Sequence, residues 1–219
     1  MVSVQTNLLP ATTLTSSCYT NMFNGCTHLT NVPNLPATTL ASNCYRQMFR
    51  ECVNLVSIPT NLLPATTLVS SDYAYMFFGC TSLTNVPNLP ATTLSDSCYM
   101  AMFKGCTSLE TVPTNLLPAT AVTTSSYREM FMNCSALTVA PELPATTTDS
   151  SCYESLFQNC ALINYVKCMI PAFNGSYGKV SNMLVGVAET GTLVKNPLNT
   201  QWREGISGYP SGWTVQDAA

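Results

Sequence analysis

Six copies of the segment LPAT begin at residues 9, 35, 63, 89, 117 and 143, so successive copies stand 26, 28, 26, 28 and 26 residues apart. A self-similar period of this size describes a solenoid, in which each unit buries its apolar side only by stacking on its neighbours. The two-residue difference has a visible source. Short units read VPNLP at 32–36 and 86–90, where long units read IPTNLLP at 58–64 and VPTNLLP at 112–118. The insertion falls in a loop, which keeps the stacked parts in phase.

Each unit then runs through the same sequence of signals. After LPATTL stands a pair of small polar residues, such as Ser16-Ser17, Ser42-Asn43 or Asp96-Ser97, whose side-chain oxygens suit a helix start. The following nine residues read CYTNMFNGC (18–26), CYRQMFREC (44–52), DYAYMFFGC (72–80), CYMAMFKGC (98–106), SYREMFMNC (126–134) and CYESLFQNC (152–160). Apolar residues at offsets 0, 1, 4, 5 and 8 fit one face of a helix of about two turns. Gly25, Gly79, Gly105, Asn133 and Asn159 stand where a helix terminator belongs, with Glu51 the exception. A helix this short is marginal alone, so stacking must hold it. Segments such as SLTNVP (82–87) follow, with Leu and Val three apart and a closing proline, and predict one very short strand per coil in a parallel sheet.

The ends depart from the pattern. Residues 1–10 overlay 55–64 almost letter for letter, so the chain opens on a strand without its helix, which suggests upstream coils. MLVGV (183–187) followed by GTLVKN (191–196) is a degenerate seventh coil, and the Gly- and Pro-rich tail with Trp202 and Trp213 reads as a cap. The division expected is a solenoid over 1–168, then the seventh coil and cap over 169–219.

The wording CYxxMFxGCTSLTxVPxLPATTL resembles that of the BspA-like, Treponema-type leucine-rich-repeat proteins of Bacteroides and related bacteria, over about residues 1–168; the GWTVQD ending (212–217) is similar to a cap of that group. The resemblance implies a right-handed α/β solenoid with one short parallel strand and one short helix per coil and a C-terminal β cap. It also implies export to the cell surface or beyond, and adhesion. It brings no catalytic residues. MF and LPATTL here replace the AF and isoleucine-rich strand of the commoner consensus.

Composition narrows the functional classes. Only 9% of residues are charged and the net charge is -3, which gives no electrostatic footprint for a phosphate backbone and argues against nucleic acid. Apolar runs are too short for a membrane-spanning helix. Eleven cysteines and one histidine, His28, argue against a metal ladder, since zinc sites want closely paired ligands. The first Cys of the unit is replaced by Asp72 and Ser126 while Cys80 and Cys134 remain, so pairing within a unit is not required; a column of buried thiols fits better. Disulfides between neighbouring coils stay open, and Cys168 is the odd thiol. The Tyr and Phe columns, Tyr19 to Tyr153 and Phe23 to Phe157, share the face of the cysteines and read as core. LPATTL itself carries no charge or aromatic ring and reads as a structural brick, with its threonine columns a second reading as a flat binding face.

No nucleophile has a credible base, and the eleven Asp and Glu residues form no recurrent pair, so no catalytic, cofactor-binding or metal-binding residues are expected. Units differ at outer positions. Tyr75, Phe78, Met100 and Met132 there form either an apolar interaction patch or helix edges tucked against loops. The sequence thus predicts a monomeric, non-catalytic, exported repeat domain that meets a surface protein or glycan, the alternative being a structural spacer or accessory domain.

Overall fold

The computed structural model describes residues 3–219; Met1 and Val2, the start of the segment expected to form a strand without its helix, lie outside the described residues. The chain is a solenoid of 26- and 28-residue coils, but the leucine-rich-repeat-like right-handed α/β architecture expected from the sequence is not what it forms. Among the described residues the one helical turn is η1 (Tyr177–Lys179), a 3-10 turn of three residues. The nine-residue segments expected to be helices are runs of turns instead.

The backbone of residues 15–26 shows how. Alternate N–H groups close local turns: Cys18 donates to the Thr15 carbonyl, Thr20 to Ser17, Met22 to Tyr19, Asn24 to Asn21 and Cys26 to Phe23. The N–H groups between them leave the coil. Those of Ser17, Tyr19, Asn21, Phe23 and Gly25 donate at 2.8–3.0 Å to the carbonyls of Ser42, Cys44, Arg46, Met48 and Arg50 in the next coil. Every fourth residue takes a positive φ, Ser17 at 59°, Asn21 at 60° and Gly25 at 70°, which is what a turn with a left-handed third residue requires. The result is a flat ribbon with a repeat of four residues, whereas a helix repeats at 3.6 and satisfies its amides internally. Apolar offsets of 0, 4 and 8 fit the ribbon better than the helix.

The ribbon recurs in every coil. Positive φ returns at Asn43, Gln47 and Glu51, at Ser71, Tyr75 and Gly79, and so on to Ser151, Ser155 and Asn159. The inter-coil ladder continues through Phe157 and Asn159, which donate to the Met183 and Val185 carbonyls of the seventh ribbon; Asn182 and Gly186 are its left-handed residues.

The opposite side of the coil behaves differently. The expected strand at SLTNVP is not formed; between LPATTL segments parallel pairing joins copies 26 residues apart, and Leu143 of the sixth copy bridges Cys168. Thr13 bridges Thr39, Thr67 bridges Thr93, and β1 (Ala121–Val122) pairs with β2 (Thr147–Thr148). Where the extra two residues intervene, the bridge is missing among the described residues and a groove opens, lined in one place by Leu35, Pro36, Asn61 and Pro64. Coils are therefore continuous on the ribbon side and paired in twos on the loop side. Within the pairs Asn31 and Asn85 act as clamps: the Asn85 amide accepts from the Ile58 N–H at 3.0 Å and donates to its carbonyl at 2.8 Å.

Beyond the sixth coil, β3 (Tyr165–Cys168), β4 (Gly191–Lys195) and β5 (Trp213–Asp217) form a parallel sheet in the order β3-β4-β5. The Trp213 indole N–H donates to the Ala188 carbonyl, and Trp202 meets the Phe173 ring edge-on at 5.0 Å. The Asn182 N–H reaches the Ile206 carbonyl, so the tail closes the last ribbon.

The left-handed residues generate a prediction. A Cβ on Gly105 (φ 76°) meets nothing nearer than 3.8 Å, so Gly105→Ala is strained by its backbone alone and should cost about 1–2 kcal/mol. Glu51 holds φ 58° in the column of Gly25, Gly79 and Gly105, and Glu51→Asn should raise stability by up to about 1 kcal/mol. Urea midpoints of the two variants moving in the same direction would contradict the ribbon.

Candidate functional site

Three columns fill the interior along the ribbon. Tyr19, Tyr45, Tyr73, Tyr99, Tyr127 and Tyr153 stack with ring centroids 5.7–5.9 Å apart. Phe23, Phe49, Phe77, Phe103, Phe131 and Phe157 do so at 5.5–6.0 Å, with ring planes within 12° of parallel. From the second coil on, these rings are buried, which makes them the packed core that their spacing suggested. Offset stacking of this kind adds about 0.5–1.5 kcal/mol per pair to plain burial.

The closing cysteines form the third column, and all eleven cysteines of the chain are free thiols. From the second coil on, the closing Cys donates its thiol proton to the Phe carbonyl of the preceding coil: Cys52 to Phe23 at 3.2 Å, Cys80 to Phe49, Cys106 to Phe77, Cys134 to Phe103 and Cys160 to Phe131 at 3.0 Å. Burial pushes the Cys52 and Cys160 thiols up to about 12, so they stay protonated donors. Cys168, outside the repeat pattern, is equally buried, and burial takes it to about 12 as well.

The two substitutions in the first Cys column keep local partners. Ser126 donates to the Thr123 carbonyl at 3.0 Å. Asp72, fully buried, accepts from the Val69 N–H at 2.7 Å and from the Cys44 thiol at 3.7 Å. Burial outweighs these bonds and lifts its carboxyl from 3.8 to about 7.

The brick reading of LPATTL has a structural counterpart. Leu35, Ala37, Leu89, Ala91, Leu143 and Ala145 point inward and are buried, while Thr38, Thr39, Thr92 and Thr93 are exposed on the paired strands. His28 is exposed, its Nδ1 3.2 Å from the Thr27 hydroxyl.

The residues that vary from coil to coil occupy three columns of the ribbon, the left-handed one of Asn21, Gln47, Tyr75, Ala101, Glu129 and Ser155 and two rows beside it. One runs Thr20, Arg46, Ala74, Met100, Arg128, Glu154; the other runs Asn24, Arg50, Phe78, Lys104, Met132, Gln158. Of the expected patch, Tyr75 and Phe78 come together, ring centroids 6.1 Å apart and tilted 55°. Met100 and Met132 lie in different rows, each followed or preceded by a charged residue, and the four side chains are half-buried rather than a bare apolar face. The sequence reading missed the cations between them. Arg46 lies over the Tyr75 ring at 5.9 Å, and Phe78 sits between Arg50 at 4.9 Å and Lys104 at 5.9 Å, a geometry that attracts cations to the ring face. Ion pairs extend the rows: Arg50 with Glu51 at 3.0 Å, Lys104 with Glu129 at 2.6 Å, and Arg128 with Glu129 at 3.3 Å and Glu154 at 3.2 Å. The signal lay in the sequence: Arg50 and Lys104 stand at the same offset of their segments as Phe78, and Arg46 and Arg128 one residue before the offset of Tyr75.

No protein family, curated protein or solved structure matches the chain.

Two predictions follow from the buried polar columns. A thiol reagent at pH 8 should titrate Cys18 and Cys26, the two exposed cysteines, in the native protein and all eleven in guanidinium. Asp72 supplies the second. Its folded-state pKa lies above the unfolded one, so the native state holds a proton that the unfolded chain releases between 3.8 and about 7. This contribution is fully present below about pH 4 and is lost as pH rises through 7. Asp72→Cys should therefore stabilise the protein more at pH 8 than at pH 4.5, and equal gains in urea midpoint at both would contradict the assignment.

Proposed function

We propose that this chain is a non-catalytic repeat domain, displayed at the cell surface or secreted, that presents a rigid face to a protein or glycan partner. The observation that carries this reading is the separation of constant from variable positions. Core, ladder and LPATTL positions repeat, and the side chains that differ collect in three neighbouring columns of one continuous ribbon. Binding on such a row costs little ordering entropy, because its backbone is fixed by bonds to both neighbouring coils. The likeness of the repeat wording to BspA-like surface proteins supports an exported location and an adhesive role. No helix among the described residues is long and apolar enough to cross a membrane. A structural spacer or accessory domain is the second reading, favoured by the regularity of the stack.

A screen of the purified protein against glycan arrays and extracellular-matrix proteins tests the proposal, with Tyr75→Ser/Phe78→Ser as the paired variant. Retained fold with lost binding is the expected outcome. Silence across both panels would move the assignment to the spacer.

A further inference from the structure

We propose that the outer edge of the first ribbon, residues 16–26, is a docking surface for a repeat ribbon of a second polypeptide, one that carries the same Tyr-x3-Phe wording and no cap over its own donor edge. This surface lies apart from the variable columns, so the inference goes beyond the display reading above.

Hydrogen-bond polarity is the first argument. Within the stack each ribbon sends N–H groups forward and receives those of the ribbon before it: the carbonyls of Ser42, Cys44, Arg46, Met48 and Arg50 all accept from the first ribbon. The matching carbonyls of the first ribbon, those of Ser16, Cys18, Thr20, Met22 and Asn24, accept no hydrogen bond among the described residues. An unpaired backbone row is a template for pairing with another chain. This row selects its partner, because it holds acceptors only. An ordinary strand edge carries both N–H and C=O groups and would set carbonyls against carbonyls, whereas a ribbon aims an N–H from every second residue.

Exposure is the second argument. Met22 is 45% exposed where Met48, Met76 and Met102 of the same column are fully buried, and Leu8 is 42% exposed where Leu62 and Leu116 are at 3%. Cys18 and Cys26 are the exposed members of columns whose other cysteines are buried. The Tyr19 and Phe23 rings, stacked on the second coil at 5.8 and 5.5 Å, are half-buried. An uncovered repeat face in a solenoid is ordinarily polar; this one holds an apolar hollow lined by Val4, Phe23, Cys26 and Leu29. One further ribbon in the register seen between coils would set ring on ring there, its Phe carbonyl receiving the Cys26 thiol as Phe23 receives that of Cys52.

A second copy of this chain does not supply that ribbon. Its own donor edge, in the seventh ribbon, is closed: the Asn182 N–H is taken by the Ile206 carbonyl, and Leu184 is buried. The partner is therefore a repeat polypeptide without such a tail.

The test uses the intact protein and a peptide copying Thr124–Ser135 with Cys134→Ser, which keeps the ladder N–H groups of Tyr127, Glu129 and Phe131 and carries no thiol. The expected result is that Cys18 and Cys26 react with a thiol reagent about tenfold more slowly at a peptide concentration roughly ten times its Kd. Met22→Glu places a charge in the covered face; Met22 is exposed, so this variant should keep its unfolding midpoint and lose the protection. In the peptide Phe131→Ala should weaken binding, and a Thr-Val strand peptide of equal length should not bind. Protection that survives Met22→Glu, or that the strand peptide or poly-lysine gives equally, would overturn the inference. So would the absence of protection at millimolar peptide, or self-association of the chain alone that Met22→Glu abolishes.

Discussion

The row of N–H to carbonyl bonds between successive ribbons is the constraint from which the rest of this solenoid follows. Each ribbon turns alternate amides along the stacking axis, as Tyr45, Gln47 and Phe49 do toward Asp72, Ala74 and Met76. It can do so only by spending the amides in between on local turns, and those turns require a left-handed residue every fourth position. Non-glycine residues in that conformation cost about 1–2 kcal/mol each, so an isolated ribbon is unstable. Stacking supplies the inter-coil bonds, the two ring columns and the thiol bonds together. That is why the aromatic spacing stays near 5.5–6.0 Å across both short and long repeats, although the loop side bridges only alternate neighbours.

The side of the coil that bears the insertion answers to a weaker constraint. A bridge such as Thr67 to Thr93 forms where 26 residues separate the copies, and is lost where 28 do. The ribbon tolerates this because its own register is set by backbone bonds that do not pass through the loop. A solenoid stabilised by nearest-neighbour interfaces can thus carry a two-coil rhythm on one side and a one-coil rhythm on the other.

Much of this order was legible in the sequence, and the part that was not has a physical cause. Period, phase, the buried columns of Tyr45, Phe49 and Cys52, and the continuation into residues 183–187 all follow from repetition and apolar spacing. The helix did not, because offsets of 0, 1, 4, 5 and 8 satisfy a period of four as well as one of 3.6 over nine residues. What separates the two is the column of Ser17, Asn43, Ser71, Ser97, Ser125 and Ser151, with a second at Gly25, Gly79, Gly105, Asn133 and Asn159. Helix capping explains each end by itself, and only the intermediate column, where Asn21 and Gln47 also go left-handed, reveals the ribbon. That middle column holds Tyr75, Ala101 and Glu129 as well, residues with no turn signature, and so the pattern was masked. At the outer face the cations were visible as letters, but their approach to Phe78 and Tyr75 depends on inter-coil register.

A platform defined by backbone bonds has a consequence for how it can carry function. The ladder and the turns are made by backbone groups, with the Thr20 hydroxyl adding a bond to the Asn43 carbonyl at 2.6 Å, so Thr20, Arg46, Ala74, Met100, Arg128 and Glu154 occupy equivalent places in the stack. A helical repeat would couple such positions through i to i+4 neighbours on the same surface; here pairs within a coil, such as Arg50 with Glu51, are joined by pairs between coils, as Lys104 meets Glu129 and Arg128 meets Glu154. A partner docking on this face would therefore meet groups from adjacent coils together. Arg46 and the Tyr75 ring below it form one such inter-coil unit, and moving either by a single repeat would dissolve it, so the surface differs from one pair of coils to the next although the scaffold beneath it repeats.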